Sequence, residues 1–530
     1  MGKYLNPGNE GFVEISSGYY VDKTGLIELV NKTINKPEKL TCISRPRRFG
    51  KSFAVDMLCA YYDCSCDSHE LFDKYSIKNS DTYEQYINQF NVILIDVTGF
   101  ISEVKRSTGK MKISDVPNMI VTDLKNDLIK ECPELSDKTK LDDCLLYYVK
   151  KTNRKIVFII DEWDALIREA KDDDNTQQAY LNLLRGLFKN RNVTPYVVAG
   201  AYMTGILPIK KDGSQSAISD FREFSVLDPR RFDVYSGFTE EEAKAVCADF
   251  DMDFEKAKEW YDGYSVGRIG SIYNPYSLMQ AMDAGEYGSY WKNTSAADSL
   301  ETYINMNYKG LREDIIRLIA GEELEVITDG FANDFESFTN KDDVLTLMIH
   351  LGYLAYNKAN GCVRIPNIEV KKEFDNLLRK AGTNKLAALI ERSNRLFKDT
   401  IAGNADTVAM AIEEIRESEY APRYYNDEQA LRYVIKFAYI VCVDQYLKVE
   451  EIPTGKGIAD VVYIPKRNTN DPALVIELKW NKTAGAAITQ IKDKNYPAVL
   501  KDYSGEVIMV GINYDEKSKE HSCIIERVIK

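Results

Sequence analysis

Arg45-Pro46-Arg47-Arg48-Phe49-Gly50-Lys51-Ser52 is the stretch that decides how the chain reads. Before it, Leu40 to Ile43 forms a short apolar run that suits a buried strand. After it, Phe53, Ala54, Met57, Leu58 and Tyr61 recur at helical spacing. A strand, a tight loop ending in Gly-Lys-Ser and a helix make the setting of a phosphate-binding loop. Backbone N–H groups and the helix dipole there favour bound anions. In that reading Gly50 lets the backbone approach the phosphates, Lys51 reaches the outer phosphates, and the Ser52 hydroxyl ligates Mg²⁺. The position where the usual pattern opens with glycine is Arg45. The loop arginines, Arg47 and Arg48 among them, then offer phosphate charge in place of glycines.

Three further apolar runs predict partner strands. Val92 to Ile95 ends at Asp96, and Ile156 to Ile160 ends at Asp161-Glu162. A continuous apolar run suits a strand covered on both faces, as in a parallel sheet. Its terminal acids then lie at the carboxyl edge of the sheet, where ligands bind. Asp161 can hold Mg²⁺ through water, and Glu162 can polarise an attacking water. An Asp-Glu pair also suits a plain helix start; the phosphate loop upstream favours the chemical reading. A run from Tyr196 to Tyr202 leads to Thr204, which either senses a terminal phosphate or caps a turn. A fifth strand is expected over Phe224 to Leu227. Strands alternating with helices predict a doubly wound α/β sheet with right-handed crossovers.

The chain has 530 residues, too many for one compact domain, and a formal net charge of −13. That charge excludes a general nucleic-acid glue, so nucleic-acid binding needs a local basic surface. The ten cysteines are scattered, and the three histidines (His69, His350, His521) lie far apart, which argues against zinc. Free cysteines without a secretory signal predict a cytoplasmic protein, and no apolar run is long enough to span a membrane.

Residues 237–330 read as a helical lid, opened by a capping box at Thr239 and Glu242. Residues 331–425 read as a connector. In it a helix ending at Gly352 and a hairpin turning at Asn360-Gly361 suggest a winged-helix-like module, which serves either binding or plain connection. Residues 426–530 carry a second chemical pattern. A helix with Glu428 in its first turn precedes Asp460 on one strand and Glu477-Leu478-Lys479 on the next, and Gln490 follows. Alternation places Glu477 and Lys479 on one face. Asp460 and Glu477 can share Mg²⁺, with Lys479 orienting water or steadying charge. A surface Glu–Lys pair would show the same spacing.

These motifs resemble a known pairing. The Arg-Pro-Arg-Arg-Phe-Gly-Lys-Ser loop, Val21-Asp22-Lys23-Thr24, Asp161-Glu162, Thr204 to Pro208 and Gly237 to Glu242 are similar to the AAA-ATPase-like proteins of bacteria and archaea. In that family Arg45 at the glycine position is usual. Residues 426–530 resemble the PD-(D/E)XK nuclease superfamily domain fused to it. The resemblance implies a P-loop ATPase core over 1–236 and a restriction-endonuclease-like α/β domain at the C-terminus. It implies ATP and Mg²⁺ as cofactors. It assigns nucleotide and Mg²⁺ contacts to Lys51 and Ser52, hydrolysis to Asp161 and Glu162, a nuclease core to Asp460, Glu477 and Lys479, and accessory roles to Glu428 and Gln490. DNA or RNA is the implied substrate; an ATP-driven switch that binds a nucleic acid or protein without cutting is the alternative. If Arg222, Arg230 or Arg231 acts as an arginine finger in trans, the protein works as a homo-oligomer.

Overall fold

The computed structural model describes residues 3–209, 218–291, 308, 310–319, 321–329, 331, 338, 340–380, 385–419, 428–439, 446–453, 458–465, 472–493, 500, 503 and 505–528; side chains of 312, 313, 316, 377–380, 385–391, 418, 419, 429, 433, 436, 437, 448–453 and 458–460 lie outside that description. The chain forms two compact units, one of residues 1–311 and 323–372, the other of 312–322 and 373–530.

The first unit is built on a five-stranded parallel sheet. Its strands are β1 (Leu40–Ser44), β2 (Asn91–Asp96), β3 (Ile156–Asp161), β4 (Val198–Gly205) and β5 (Arg222–Phe224), in spatial order β2-β3-β4-β1-β5. Every residue of β1, β3 and β4 is buried, because helices cover both faces. Alternation divides β3 accordingly. Ile156, Phe158 and Ile160 join one apolar core with Leu124, Leu145 and Leu184, while Val157 and Ile159 join another with Met57, Leu58 and Tyr61. The doubly wound sheet is therefore as the sequence predicts. Two strands shift: β4 begins at Val198 after a helical turn at Thr194–Val197, and β5 ends at Phe224.

The described residues of 237–300 carry three helices, as read from the sequence, and also a small sheet that the reading did not include. Phe238–Thr239, Tyr264–Val266 and Ile269–Tyr273 form a three-stranded antiparallel sheet among helices Glu240–Asp249, Phe254–Tyr261 and Pro275–Ala284. Strands of two to five residues leave too few alternations to register as a period. The Thr239–Glu242 capping box is present, with both reciprocal bonds. Further on, helix Lys341–Leu351 stops at Gly352, whose φ of 88° only glycine adopts freely. The hairpin Ala355–Asn357/Cys362–Arg364 follows and pairs with Leu324–Glu325. Helix plus hairpin is as read from the sequence.

The second unit carries a mixed five-stranded sheet in chain order: Tyr446–Pro453, Ile458–Pro465, Ala473–Trp480, Val507–Asp515, Glu520–Val528. Only Ala473–Trp480 and Val507–Asp515 run parallel, and helix Ala484–Asp493 joins them. Gly511 permits the close approach of that helix: a Cβ there would stand 2.6 Å from the Ala484 carbonyl oxygen. Helix Glu428–Ala438 buries Leu431, Val434, Ile435 and Ala438.

Candidate functional sites

The loop between β1 and helix Lys51–Tyr62 turns through two left-handed residues, Arg48 at φ 70° and Gly50 at φ 77°. A Cβ on Gly50 would meet nothing within 4 Å, so the space above the loop is open. Lys51 is buried and curls back over the loop, donating to the carbonyls of Arg45 (3.2 Å) and Pro46 (2.9 Å). It also pairs with Glu162 at 3.3 Å.

Parallel pairing of β3 with β4, and of β4 with β1, brings the acids to this loop. Ser52 Oγ donates to Asp161 Oδ2 at 2.7 Å, and Thr204 Oγ1 donates to Asp161 Oδ1. Burial pushes the Asp161 carboxyl above its ordinary range, and the two hydroxyl donors oppose that shift. Glu162 follows in a left-handed conformation, φ 52°. Its N–H donates to Thr204 Oγ1 at 3.3 Å and the next N–H, of Trp163, to the Thr204 carbonyl at 2.8 Å. Arg168 holds the other side of the acid, reaching Glu162 at 2.7 Å and Asp164 at 2.9 Å. Asp164 in turn accepts from the N–H groups of Ile206 and Leu207. Thr204 is thus fully buried and fixes Asp161 and the Glu162 turn together.

Arg45 goes elsewhere. It is buried, donates to the Phe224 carbonyl at 2.8 Å and the Ser44 carbonyl at 2.9 Å, and bonds Ser236. Burial pulls its pKa down to about 10. Of the loop arginines, Arg47 and Arg48 face the cavity beside the loop, and Arg45 does not.

That cavity measures 510 Å³. Its polar end is Gly50, Lys51, Ser52 and Glu162; its apolar end includes Tyr19, Val21, Phe238, Tyr276 and Met279. Phe53, half-exposed, stands at the rim rather than in the core. Arg48 lies over the Tyr276 ring at 3.9 Å and donates to the Tyr290 carbonyl at 3.0 Å. Tyr19, Tyr20, Val21 and Lys23, in a stretch for which the sequence left packing and a nucleotide-edge role both open, line this site together with Pro275, Tyr276, Met279 and Gln280. Lys23 is held there by Glu242 at 2.6 Å, partners 219 residues apart.

The donor set fits a triphosphate with Mg²⁺. A lysine and a run of turn N–H groups suit phosphate, paired hydroxyl and carboxylate oxygens suit a hard cation, and an aromatic, aliphatic end suits a base.

In the second unit, Glu477 and Lys479 are both buried, so they are not a surface pair. Lys479 Nζ donates to Glu477 Oε1 at 3.1 Å and to the Leu478 carbonyl at 2.8 Å. Gln490, on the covering helix, donates to the same Glu477 oxygen. The strand holding Asp460 is antiparallel to this one, with Val461 opposite Ile476. The Asp460 side chain lies outside the described residues. Glu428 is the first residue of helix Glu428–Ala438. Among the described residues no group of three or more His, Cys, Asp or Glu is gathered as a metal cage. Glu477 is therefore the one described carboxylate of that pattern aligned with a basic and an amide partner.

Residues 8–214 match the family described as predicted AAA-ATPase, and residues 428–522 match the PD-(D/E)XK nuclease superfamily. An uncharacterized protein encoded in the vnfD 5′ region of Azotobacter chroococcum mcd 1 is 22% identical, covering 98% of this chain and 97% of its own. Among solved structures, the Aeropyrum pernix ORC2 protein covers 69% of this chain and 98% of its own, at 11% identity and a TM-score of 0.34. A signal transduction ATPase with numerous domains from Pyrococcus horikoshii covers 80% of this chain and 56% of its own, at 12% identity and a TM-score of 0.25.

Proposed function

We propose that this chain, which joins a predicted AAA-ATPase module to a PD-(D/E)XK nuclease superfamily module, binds and hydrolyses ATP and cuts DNA or RNA with its second module. The observation that carries the first half is that Lys51, Ser52 and Glu162 line the 510 Å³ cavity, while Asp161 bonds Ser52 and Thr204 bonds both Asp161 and Glu162. We assign residues 1–236 to the ATPase core, 237–330 to the lid, 331–425 to the connector and 426–530 to the nuclease-like domain.

Lys51 exchanges the loop carbonyls and Glu162 for phosphate oxygens, to which it brings a charge in a dry setting. Arg47 and Arg48 add charge from the rim. Ser52 and Asp161 would hold Mg²⁺, which supplies charge neutralisation at the phosphates. Glu162, held by Arg168 once Lys51 leaves, is free on one side to accept a proton from water. Thr204 keeps Asp161 and Glu162 in register and can report on a terminal phosphate. In the second module Glu477, with Asp460, would hold Mg²⁺. Lys479 and Gln490 orient Glu477 and the attacking water, and Glu428 is an accessory acid. A cytoplasmic location fits the free cysteines. No helix among the described residues is long and apolar enough to cross a membrane.

The test uses purified full-length protein with Mg²⁺, ATP and a panel of single- and double-stranded DNA and RNA. Lys51→Ala is expected to abolish nucleotide binding, and Asp460→Ala and Glu477→Gln to abolish cleavage while sparing ATP turnover. Cleavage that survives Asp460→Ala refutes the nuclease assignment. Nucleic-acid binding with no product under any condition supports the non-cleaving, ATP-driven switch instead.

A further inference from the structure

A second concavity lies in the first unit, apart from the nucleotide cavity. It measures 440 Å³ and is lined by Asp228, Pro229, Arg230, Arg231, Gly267, Arg268 and Lys358. Three separate pieces of chain build it. Asp228 to Arg231 follow the edge strand β5, Gly267-Arg268 form the turn between strands Tyr264–Val266 and Ile269–Tyr273, and Lys358 sits in the hairpin turn after Ala355–Asn357. The pieces are packed rather than merely adjacent. A Cβ on Gly267, which has φ 62°, would stand 2.7 Å from Pro229 and 3.0 Å from Asp233 Cβ. Buried Asp233 anchors the turn by bonding Arg268 at 3.4 Å.

The charges do not cancel. Asp228 serves both Arg230 (3.0 Å) and Lys358 (3.7 Å), and Asp233 serves Arg268. Among the described residues Arg231 has no ion-pair partner. Four cations therefore face two carboxylates, in a chain whose net charge is −13. Neighbouring Arg222 and Arg230 both approach the Phe224 ring, at 5.6 and 5.8 Å, which extends the basic surface along β5. A local excess of fixed cations on an acidic protein costs self-repulsion unless an anion relieves it. Three arginines and a lysine spread over a rim suit several phosphates in a row better than one small anion.

We propose that this concavity binds the phosphodiester backbone of a nucleic acid. The site lies outside both modules' chemical centres, so it would position substrate without reacting. It is independent of the cleavage reading, because backbone binding needs no Mg²⁺ and no intact Glu477.

The test is fluorescence anisotropy of labelled single- and double-stranded DNA and RNA on the full chain in EDTA. Arg231→Glu with Lys358→Glu is expected to weaken binding at least about tenfold and to lower the slope of log affinity against log salt by about two. Arg231→Lys with Lys358→Arg is expected to retain wild-type affinity. If the reversed variant fails to fold, judged by its melting curve, Arg231→Gln with Lys358→Gln replaces it, with the same loss of slope expected. Unchanged affinity and slope in the altered-charge variant overturn the proposal. So does displacement of the probe by inorganic phosphate at concentrations comparable to nucleic-acid phosphate, which would mark a small-anion site.

Discussion

Asp56 gives the most quantitative test of how the acids around the phosphate loop are balanced. It lies on helix Lys51–Tyr62, one turn beyond Ser52, and burial pushes its pKa up from 3.8 to about 6, with Asp161, Glu14 and Asp96 adding to the rise. A raised carboxyl keeps its proton longer folded than unfolded. Its contribution to stability is therefore fully present below about pH 4 and is lost as pH rises through about 6. The difference of about two pH units corresponds to about 3 kcal/mol at 1.36 kcal/mol per unit. Partial exposure and salt screening reduce this to roughly 1–2 kcal/mol. Asp56→Asn removes the charge and keeps the shape. Urea unfolding in Mg²⁺-free buffer is expected to show the variant about 1–2 kcal/mol more stable near pH 8, with the advantage shrinking towards zero near pH 4. A gain equal at both pH values, or a loss near pH 8, would refute the reasoning, since neither depends on ionising a crowded carboxylate.

Other outcomes follow from the same packing. Gly205→Ala would place a Cβ 2.6 Å from Trp163 Nε1 and 2.8 Å from Asp164 Oδ1, so a stability loss of about 1–3 kcal/mol and a fall in ATP turnover are expected in melting and phosphate-release assays. Glu162→Gln is expected to keep ATP affinity within a few-fold while turnover falls by about 100-fold or more, read by equilibrium binding beside steady-state kinetics. Lys479→Met leaves Glu477 buried without its cation, at a cost of about 3–5 kcal/mol, and adding Glu477→Gln is expected to recover most of it; denaturant titration of both variants checks the sign of the coupling.

The parallel sheet was legible because strands covered on both faces leave unbroken apolar runs, as at Ile156 to Ile160. The acids at its edge were legible from position alone, since Asp161 ends such a run beside a phosphate loop. Contacts made across long stretches of chain were not. Arg48 meets Tyr290 from 242 residues away, and Tyr19 to Lys23 reach the cavity only through folding. Arg168 was equally hidden, because a helical arginine four residues after an aspartate reads as ordinary surface pairing. The small sheet within 237–300 escaped notice for want of length, and the burial of Glu477 and Lys479 for want of any sign that helix Ala484–Asp493 covers them.

Arg45 changes what a reversion would mean. Glycine at this point of the loop is usually valued for freedom, yet here the guanidinium rivets β1 and the loop's first turn to Phe224 on β5 and to Ser236. Putting the common glycine back would not improve the cradle. It would open a void the size of a long side chain, strand two carbonyls and loosen the sheet's outer strand. A residue that looks like a lapse in the motif has become a keystone, and the route back to the commoner loop is closed unless its neighbours change with it.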